Sequence, residues 1–221
     1  MPRPRFATLD EARRQAILEA AADEFARAGY EAASYNQIIA RAGVSKGAMY
    51  YYFDGKADLY VTTLDAMVQR LLERVGTIGE FDDAATFWIA VRDLCVRVLA
   101  FLAEEPRLAG LARGLMQPSD EAVAATLASY IAATEVYTSA LIRRGQALGA
   151  VRDDLPLPLL ASLLSGLGEA FDRWLLENYA SIAPETLARV PDLILDLFVR
   201  TAAPLDRVIE LAPPAPARKE P

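Results

Sequence analysis

The sequence predicts an all-α protein: an N-terminal three-helix unit built around a helix-turn-helix, followed by a larger helical body. Three observations carry this. Apolar residues recur at helical spacing along nearly the whole chain. The β-branched alternation of a strand is absent. Pro106, Pro118, Pro156, Pro184 and Pro191 stand at or near the starts of periodic segments, where a missing N–H costs a helix little.

The first helix is expected from Leu9 to Ala28. Ala16, Ile17, Ala20, Phe25 and Ala28 lie at helical spacings, Thr8 and Asp10 are candidate caps, and Gly29 is a stop. Ser34-Tyr35-Asn36-Gln37 fits a capping box, opening a short helix to Ala42. Ser45 can cap a third helix through Phe53, and Asp54-Gly55 is a turn. A longer helix follows, with Tyr60, Leu64, Met67, Val68, Leu71 and Val75 on one face. Beyond Gly76 and Gly79, helices are expected at about 82–104, 106–116, 119–148, 157–179 and 186–201. The expected division is residues 1–56, residues 57–211 and a disordered Pro/Ala-rich tail at 212–221.

Composition excludes much chemistry. The 221 residues include no histidine, which removes Ser-His-Asp and Cys-His catalysis and His-ligated zinc. The one cysteine, Cys95, lies in an apolar run and reads as a small core residue, so no cysteine metal site is expected. No cofactor is expected. The N-terminus lacks a secretory h-region, and no run approaches the roughly 18 apolar residues of a membrane span, so a cytoplasmic location is expected. The formal net charge is −7, which by itself argues against nucleic acid. Its distribution qualifies that. Residues 1–56 carry eight Lys/Arg against seven Asp/Glu, so the acidic excess lies in the rest of the chain.

The informative stretch runs from Ser34 to Lys56. Two short helices are joined by Ala42-Gly43-Val44-Ser45, and Ile38, Ile39, Met49, Tyr52 and Phe53 can close a small core with Phe25 behind them. On the second helix the outward positions are Lys46, Gly47, Tyr50 and Tyr51. Gly47 lets a backbone come close, Lys46 offers a cation, and the tyrosines offer hydroxyl donors to phosphate. Three neighbouring tyrosines, a glycine at the second helical position and an Ala-Gly-Val-Ser turn together argue against a plain helical hairpin.

This segment resembles the TetR family of bacterial transcriptional regulators. The matching residues are Ser34, Ile38, Ala42, Gly43, Val44, Ser45, Gly47, Met49, Tyr50, Phe53 and Lys56. The sequence departs from that pattern at Ile39 and at the Asp54-Gly55 turn, and Met49 fills the usual Leu position with a residue of similar volume; none of these removes a DNA-facing group. The resemblance implies that Ser34, Ser45, Tyr50, Tyr51 and Lys56 contact phosphates. It also implies that Asn36, Lys46, Gly47 and Ala48 lie near base edges, with double-stranded operator DNA as partner.

The larger body is then expected to pair and to sense. One helix-turn-helix offers too few contacts for tight specific binding, so a homodimer is expected; the faces at about residues 157–201 read either as its interface, which the resemblance favours, or as intramolecular core. Leu160, Leu163, Leu164, Leu167, Phe171, Trp174 and Leu175 make one apolar face, beside a small-residue strip of Ala161, Ser165 and Gly168. Leu187, Val190, Ile194, Leu197 and Phe198 make a second. For sensing, Phe87, Trp88, Phe101, Met116 and Tyr137 are candidate ligand-binding residues, and Leu115 and Tyr130 lie among the same aromatic and apolar positions. As the resemblance implies a cavity among the central helices, a small apolar or aromatic effector is expected. The function expected is a ligand-responsive repressor released from an inverted repeat. The alternative is a helical protein-interaction regulator without a small-molecule effector. A carboxylate enzyme built on Asp153-Asp154 or on Glu169 with Asp172 lacks a visible activating partner, so no enzyme is expected.

Overall fold

The computed structural model describes residues 4–113, 120–178, 181–187 and 189–204. Its helices are α1 (Pro4–Ala7), α2 (Glu11–Ala32), α3 (Tyr35–Ala42), α4 (Lys46–Tyr52), α5 (Lys56–Val75), α6 (Ala84–Glu104), α7 (Pro106–Arg113), α8 (Glu121–Ala147), α9 (Leu157–Asn178), α10 (Pro184–Leu187) and α11 (Val190–Ala202). There is no strand among the described residues. The tail at 212–221 lies outside them.

Local chemistry sets most boundaries. Asp10, Asp83 and Asp120 each cap a helix by accepting backbone N–H bonds, and Asp83 forms a reciprocal capping box with Thr86. At the far end of α5, Arg97 donates to the carbonyls of Val75 (2.8 Å) and Thr77 (2.9 Å). Three expectations are corrected. Residues 4–7 form a short helix that no periodicity announced, because one turn is too short to show a period. The chain kinks at Gly29 but the helix resumes to Ala32, because Lys56 and Tyr30 tie that last turn to α5. The final segment breaks into α10 and α11 around Arg189 and Pro191.

Two cores lie end to end. The first gathers Ile17, Phe25, Ile38, Met49, Phe53, Leu59, Tyr60 and Leu64, then continues into Phe101, Leu111 and Val123. It therefore crosses Lys56 without a break. The second holds Phe87, Trp88, Ile142, Val151, Leu160, Leu195 and Val199. Helices α6 and α8 belong to both: Phe101 and Val123 join the first core, Phe87 and Ile142 the second. At 1.5 Å per residue these rods span roughly 30–40 Å, enough to connect the two ends mechanically.

Helix α7 is wedged against α2. A Cβ added at Gly110 would lie 2.6 Å from the Ala26 Cα and 2.8 Å from its carbonyl oxygen, so backbone meets backbone. Tyr60 donates to the Leu111 carbonyl (2.6 Å), Arg107 reaches Asp23 (3.4 Å), and Tyr30 donates to Asp120 (3.2 Å). Gly110→Ala should accordingly cost about 1–3 kcal/mol by forcing α2 and α7 apart. Gly79→Ala, at a site with open space, serves as the control. Thermal unfolding checks this, and equal melting temperatures for the two variants would refute the close approach.

Candidate functional site

The helix-turn-helix is set by one buried carboxylate. Glu24 of α2 is fully buried and accepts from Arg27 at 2.8 and 2.9 Å and from the Ser34 backbone N–H at 3.1 Å, with Arg41 of α3 at 3.8 Å. The Arg27 hydrogen bond, then the Ser34 N–H, hold its carboxyl below the usual 4.5 against the opposing effect of burial. The sequence reading placed a capping box here. Ser34 Oγ does accept from the Gln37 N–H (3.4 Å), but Glu24, not the Gln37 side chain, takes the Ser34 N–H. The available signal was spacing: Glu24 falls seven residues after buried Ile17, on the apolar stripe of α2.

Helix α3 ends at Gly43 with φ 65°, the left-handed conformation that glycine adopts without penalty. Val44 packs half-buried in the corner. Ser45 then caps α4, accepting from the Ala48 N–H at 3.1 Å. Ile38, Met49 and Phe53 are fully buried beneath, and Phe25 with them. Lys46, Gly47, Tyr50 and Tyr51 are all exposed on α4, with Ala48 half-buried between them. Asn36 is exposed on α3 and Ser34 is half-buried at its start. Tyr50 lies against Tyr35, ring centroids 5.3 Å apart, and Tyr51 against Tyr52 at 5.5 Å. Burial pushes the Tyr35 hydroxyl up to about 12, helped by nearby Tyr50 and Asp58, so that ring is a neutral buttress. Lys56 is turned inward: Nζ donates to the Glu31 carbonyl (2.9 Å) and lies 4.8 Å from the Tyr30 ring centre. In this arrangement it holds α2 to α5. Glycine at position 47 is not required by the protein's own packing, since an added Cβ would meet only Ser45 Oγ, at 4.0 Å.

The aromatic candidates of the larger body are not brought together. Phe87 and Trp88 are buried in the second core, edge to face at 5.0 Å, and Trp88 donates to the Ala150 carbonyl (3.3 Å). Phe87 closes tightly on Gly145, where a Cβ would meet its ring at 2.8 Å. Phe101 belongs to the first core and borders a separate polar groove with Arg70 and Glu105. Tyr137 is exposed on α8, and Met116 and Leu115 lie outside the described residues. A cleft of about 360 Å³ opens elsewhere, between α8, α9 and α11. Tyr130, Ile131, Thr134, Leu164, Gly168 and Phe198 line it, with the carboxylates of Glu135 and Glu169 at its edge. Of the aromatics noted for sensing, Tyr130 lines this cleft, and its hydroxyl donates to Asp65 of α5. Periodicity could not separate it from core aromatics, because both recur at the same spacing.

The pairing faces also divide. Leu160, Leu175, Val190 and Ile194 are buried within the monomer, and Ala161 with them. Ser165 and Gly168 face the cleft, Gly168 looking towards Phe198. Within the monomer, then, Ala161 of the small-residue strip is packed, and Ser165 and Gly168 border the cleft beside α11. Leu159, Leu163, Trp174, Leu193 and Leu197 remain exposed on α9 and α11. Asp154 pairs with Arg152 (2.6 Å) as a solvated turn. Among the described residues no acidic, cysteine or histidine cluster could hold a metal, and no helix is long and apolar enough to cross a membrane.

Comparison with known proteins bears on this geometry. A family model described as "Bacterial regulatory proteins, tetR family" matches residues 17–62, the segment from mid-α2 into α5. The HTH-type transcriptional repressor SCO4008 of Streptomyces coelicolor is 29% identical over 177 residues, covering 79% of this chain and 81% of that protein. The HTH-type transcriptional repressor Rv1474c of Mycobacterium tuberculosis is 29% identical over 191 residues, covering 83% and 91%. Among solved structures, the transcriptional regulator FadR of Bacillus subtilis in complex with stearoyl-CoA shares the fold, with a TM-score of 0.71 at 20% identity over 85% of this chain and 98% of that one.

Glu24 gives a pH test. Its folded carboxyl titrates below the unfolded value near 4.5, so its stabilisation is present above that pH. It is lost as pH falls through the lower, folded value. Glu24→Gln should cost about 1–3 kcal/mol at neutral pH and flatten the acid limb of the stability curve. Urea unfolding between pH 3 and 7 measures both. A variant with an unchanged acid limb would show that Glu24 is not the group responsible.

Proposed function

We propose that the chain is a member of the tetR family of bacterial regulatory proteins, whose model matches residues 17–62, and that it works as a dimeric repressor released from an inverted-repeat operator by a small molecule. The protein is a DNA-binding transcriptional regulator and not an enzyme. In this reading residues 1–56 bind DNA and residues 57–211 sense and pair. The observation that carries the first half is the exposed row on α4, where Gly47 is a glycine the protein's own packing does not need. An outside surface approaching the backbone explains that choice. Lys46, Gly47, Ala48 and Asn36 then face base edges. Ser34, Ser45, Tyr50 and Tyr51 face phosphates, with Lys56 holding the frame as well as offering charge.

The two copies needed for an inverted repeat would meet through Leu159, Leu163, Trp174, Leu193 and Leu197, an apolar set exposed on adjacent helices. The effector would enter the cleft between α8, α9 and α11. FadR in the comparison above holds stearoyl-CoA, whose phosphates are anionic. Glu135 and Glu169 disfavour such a group here and favour a neutral or cationic molecule with an apolar body. The route outward is short. Tyr130 lines the cleft and bonds Asp65 of α5, and α5 begins four residues after α4 ends. Reducing operator affinity tenfold needs only about 1.4 kcal/mol of differential binding, within reach of one such contact.

For the DNA half, Lys46→Ala and Tyr50→Ala should each weaken operator binding by about 1–3 kcal/mol without lowering the melting temperature, since both side chains are exposed. Fluorescence anisotropy against DNA upstream of the gene measures this, and undiminished affinity in both variants would sink the assignment of α4. For the effector half, apolar amines should raise the melting temperature through binding to the folded state, whereas stearoyl-CoA should not. Thr134→Trp should fill the cleft and abolish that shift while operator affinity stays within about threefold of the wild type. A shift that survives Thr134→Trp would move the effector site elsewhere.

A further inference from the structure

The N-terminal helix α1 was assigned nothing above, yet it packs against α4 and its position is fixed by a specific anchor. Phe6 is buried, its ring 4.7 Å from Phe53 and 6.3 Å from Tyr52, centroid to centroid. That contact ties α1 to the base of the helix whose other face carries Lys46, Tyr50 and Tyr51. Arg5, the preceding residue, is exposed, and its guanidinium carbon stands 4.3 Å from the centre of the Tyr51 ring. No carboxylate pairs with Arg5 among the described residues.

We infer that Arg5 is a DNA-contacting residue, stacked on Tyr51 so that its planar guanidinium reaches a phosphate beside the groove that α4 enters. A guanidinium on an aromatic face keeps all its N–H donors directed outward in its own plane, and these match phosphate oxygens bidentately. The stack limits the arginine's rotamers before binding, so less freedom is lost when the phosphate arrives. Phe6 supplies the anchor that Arg5 itself lacks. Tyr51 then has two roles, as a hydroxyl donor and as the platform for Arg5. The buttressing is symmetric along α4, since Tyr50 leans on Tyr35 at one side and Tyr51 is covered by Arg5 at the other. The nearby charge is scarce: across residues 1–56 the Lys/Arg excess is one with Arg5 counted, so removing Arg5 alone cancels it. Arg27 and Arg41, which face Glu24, are committed to the fold.

This inference rests on the DNA-binding reading of α4, and the test separates the two. The probe is a fluorescein-labelled duplex of about 30 base pairs, long enough for two half-sites one helical turn apart, selected from a randomised pool by the wild-type full chain. Binding is measured by anisotropy from low to high salt. Arg5→Ala should weaken binding about tenfold and lower the slope of log K against log salt by about two, one released counterion per half-site. Arg5→Lys should recover most of the slope but only part of the affinity, because the charge returns without the planar stack. Phe6→Ala, which frees the anchor while leaving Arg5 in place, should weaken binding with the slope falling less. Melting temperatures of the two Arg5 variants should equal the wild type, since that side chain is exposed. Wild-type affinity and slope in Arg5→Ala, while Tyr50→Ala has lost binding, would overturn the Arg5 contact and leave α4 standing. A wild-type chain that enriches no duplex, or whose binding does not fall with salt, would overturn both.

Discussion

A carboxylate cannot stay charged in a protein interior without partners, and Glu24 is fully buried on the face of α2 that meets α3. Satisfying it dictates the geometry of the whole N-terminal end. Its two oxygens need Arg27 from its own helix, the Ser34 N–H at the head of α3, and Arg41 near the tail of α3. The Ser34 N–H bond and the longer ion pair to Arg41 bring both ends of α3 to the same carboxylate, so charge as well as packing holds α3 against α2. The angle of α3 sets that of α4 through the three-residue turn Gly43–Ser45. Everything exposed on α4 is therefore registered to one buried charge, and the apolar contacts of Ile38, Met49 and Phe53 fill the space that charge defines.

The same end is rigidly joined to the body, which is what a regulator needs. If the helix-turn-helix hung on a flexible linker, effector binding could not reach it. Here the first core runs unbroken from Phe25 through Tyr60 to Leu111 and Val123. Tyr30, Tyr60 and Arg107 cross from one region to the other by hydrogen bonds, and Gly110 lets α7 lie directly on the backbone of α2. Burial, the largest cause, holds the Tyr30 and Tyr60 hydroxyls up to about 12, so both remain donors across the physiological range. A displacement of α5 or α8 is thus passed into the same core that holds Met49 and Phe53 beneath α4.

The helix-turn-helix was legible in the sequence because its determinants are local: Ser34 and Ser45 as caps, Gly43 in the turn, and a short apolar period. The expected exposure of Lys46, Gly47, Tyr50 and Tyr51 follows from that period alone. What was not legible depends on distant partners. The role of Glu24 is defined by Ser34 and Arg41, ten and seventeen residues along the chain. Phe87, Trp88 and Phe101 share the spacing and composition of a pocket wall, yet they close on Gly145, Ala150 and the first core. A cavity is defined by what fails to fill a space, and the sequence of one helix does not reveal the size of its neighbours. The cleft at Tyr130 exists because Ser165 and Gly168 opposite it are small. Of the strip read as a seam for a second copy, Ala161 is buried in the monomer while Ser165 and Gly168 are half-buried at that cleft. The exposed leucines next to it follow from the same helix, turned by part of a turn.

Net charge is a poor guide to this protein's partner, and the fold explains why. The chain is acidic by seven charges, which taken alone disfavours DNA. Charges interact through solvent over a screening length of about 8 Å at physiological salt. Helix α5 has 20 residues and α8 has 27, so much of the acidic body stands several screening lengths from α4. DNA meets the local field, in which Lys46 and Arg5 are exposed while the carboxylate of Glu24 is buried and neutralised by its arginines. The distant acidic charge still acts at low salt, where the screening length grows. In the proposed reading it then repels the duplex from the body and favours approach at the α4 end. On that same reading, the slight positive balance of the first 56 residues meets the duplex at physiological salt because most of the acidic excess lies beyond the screening length.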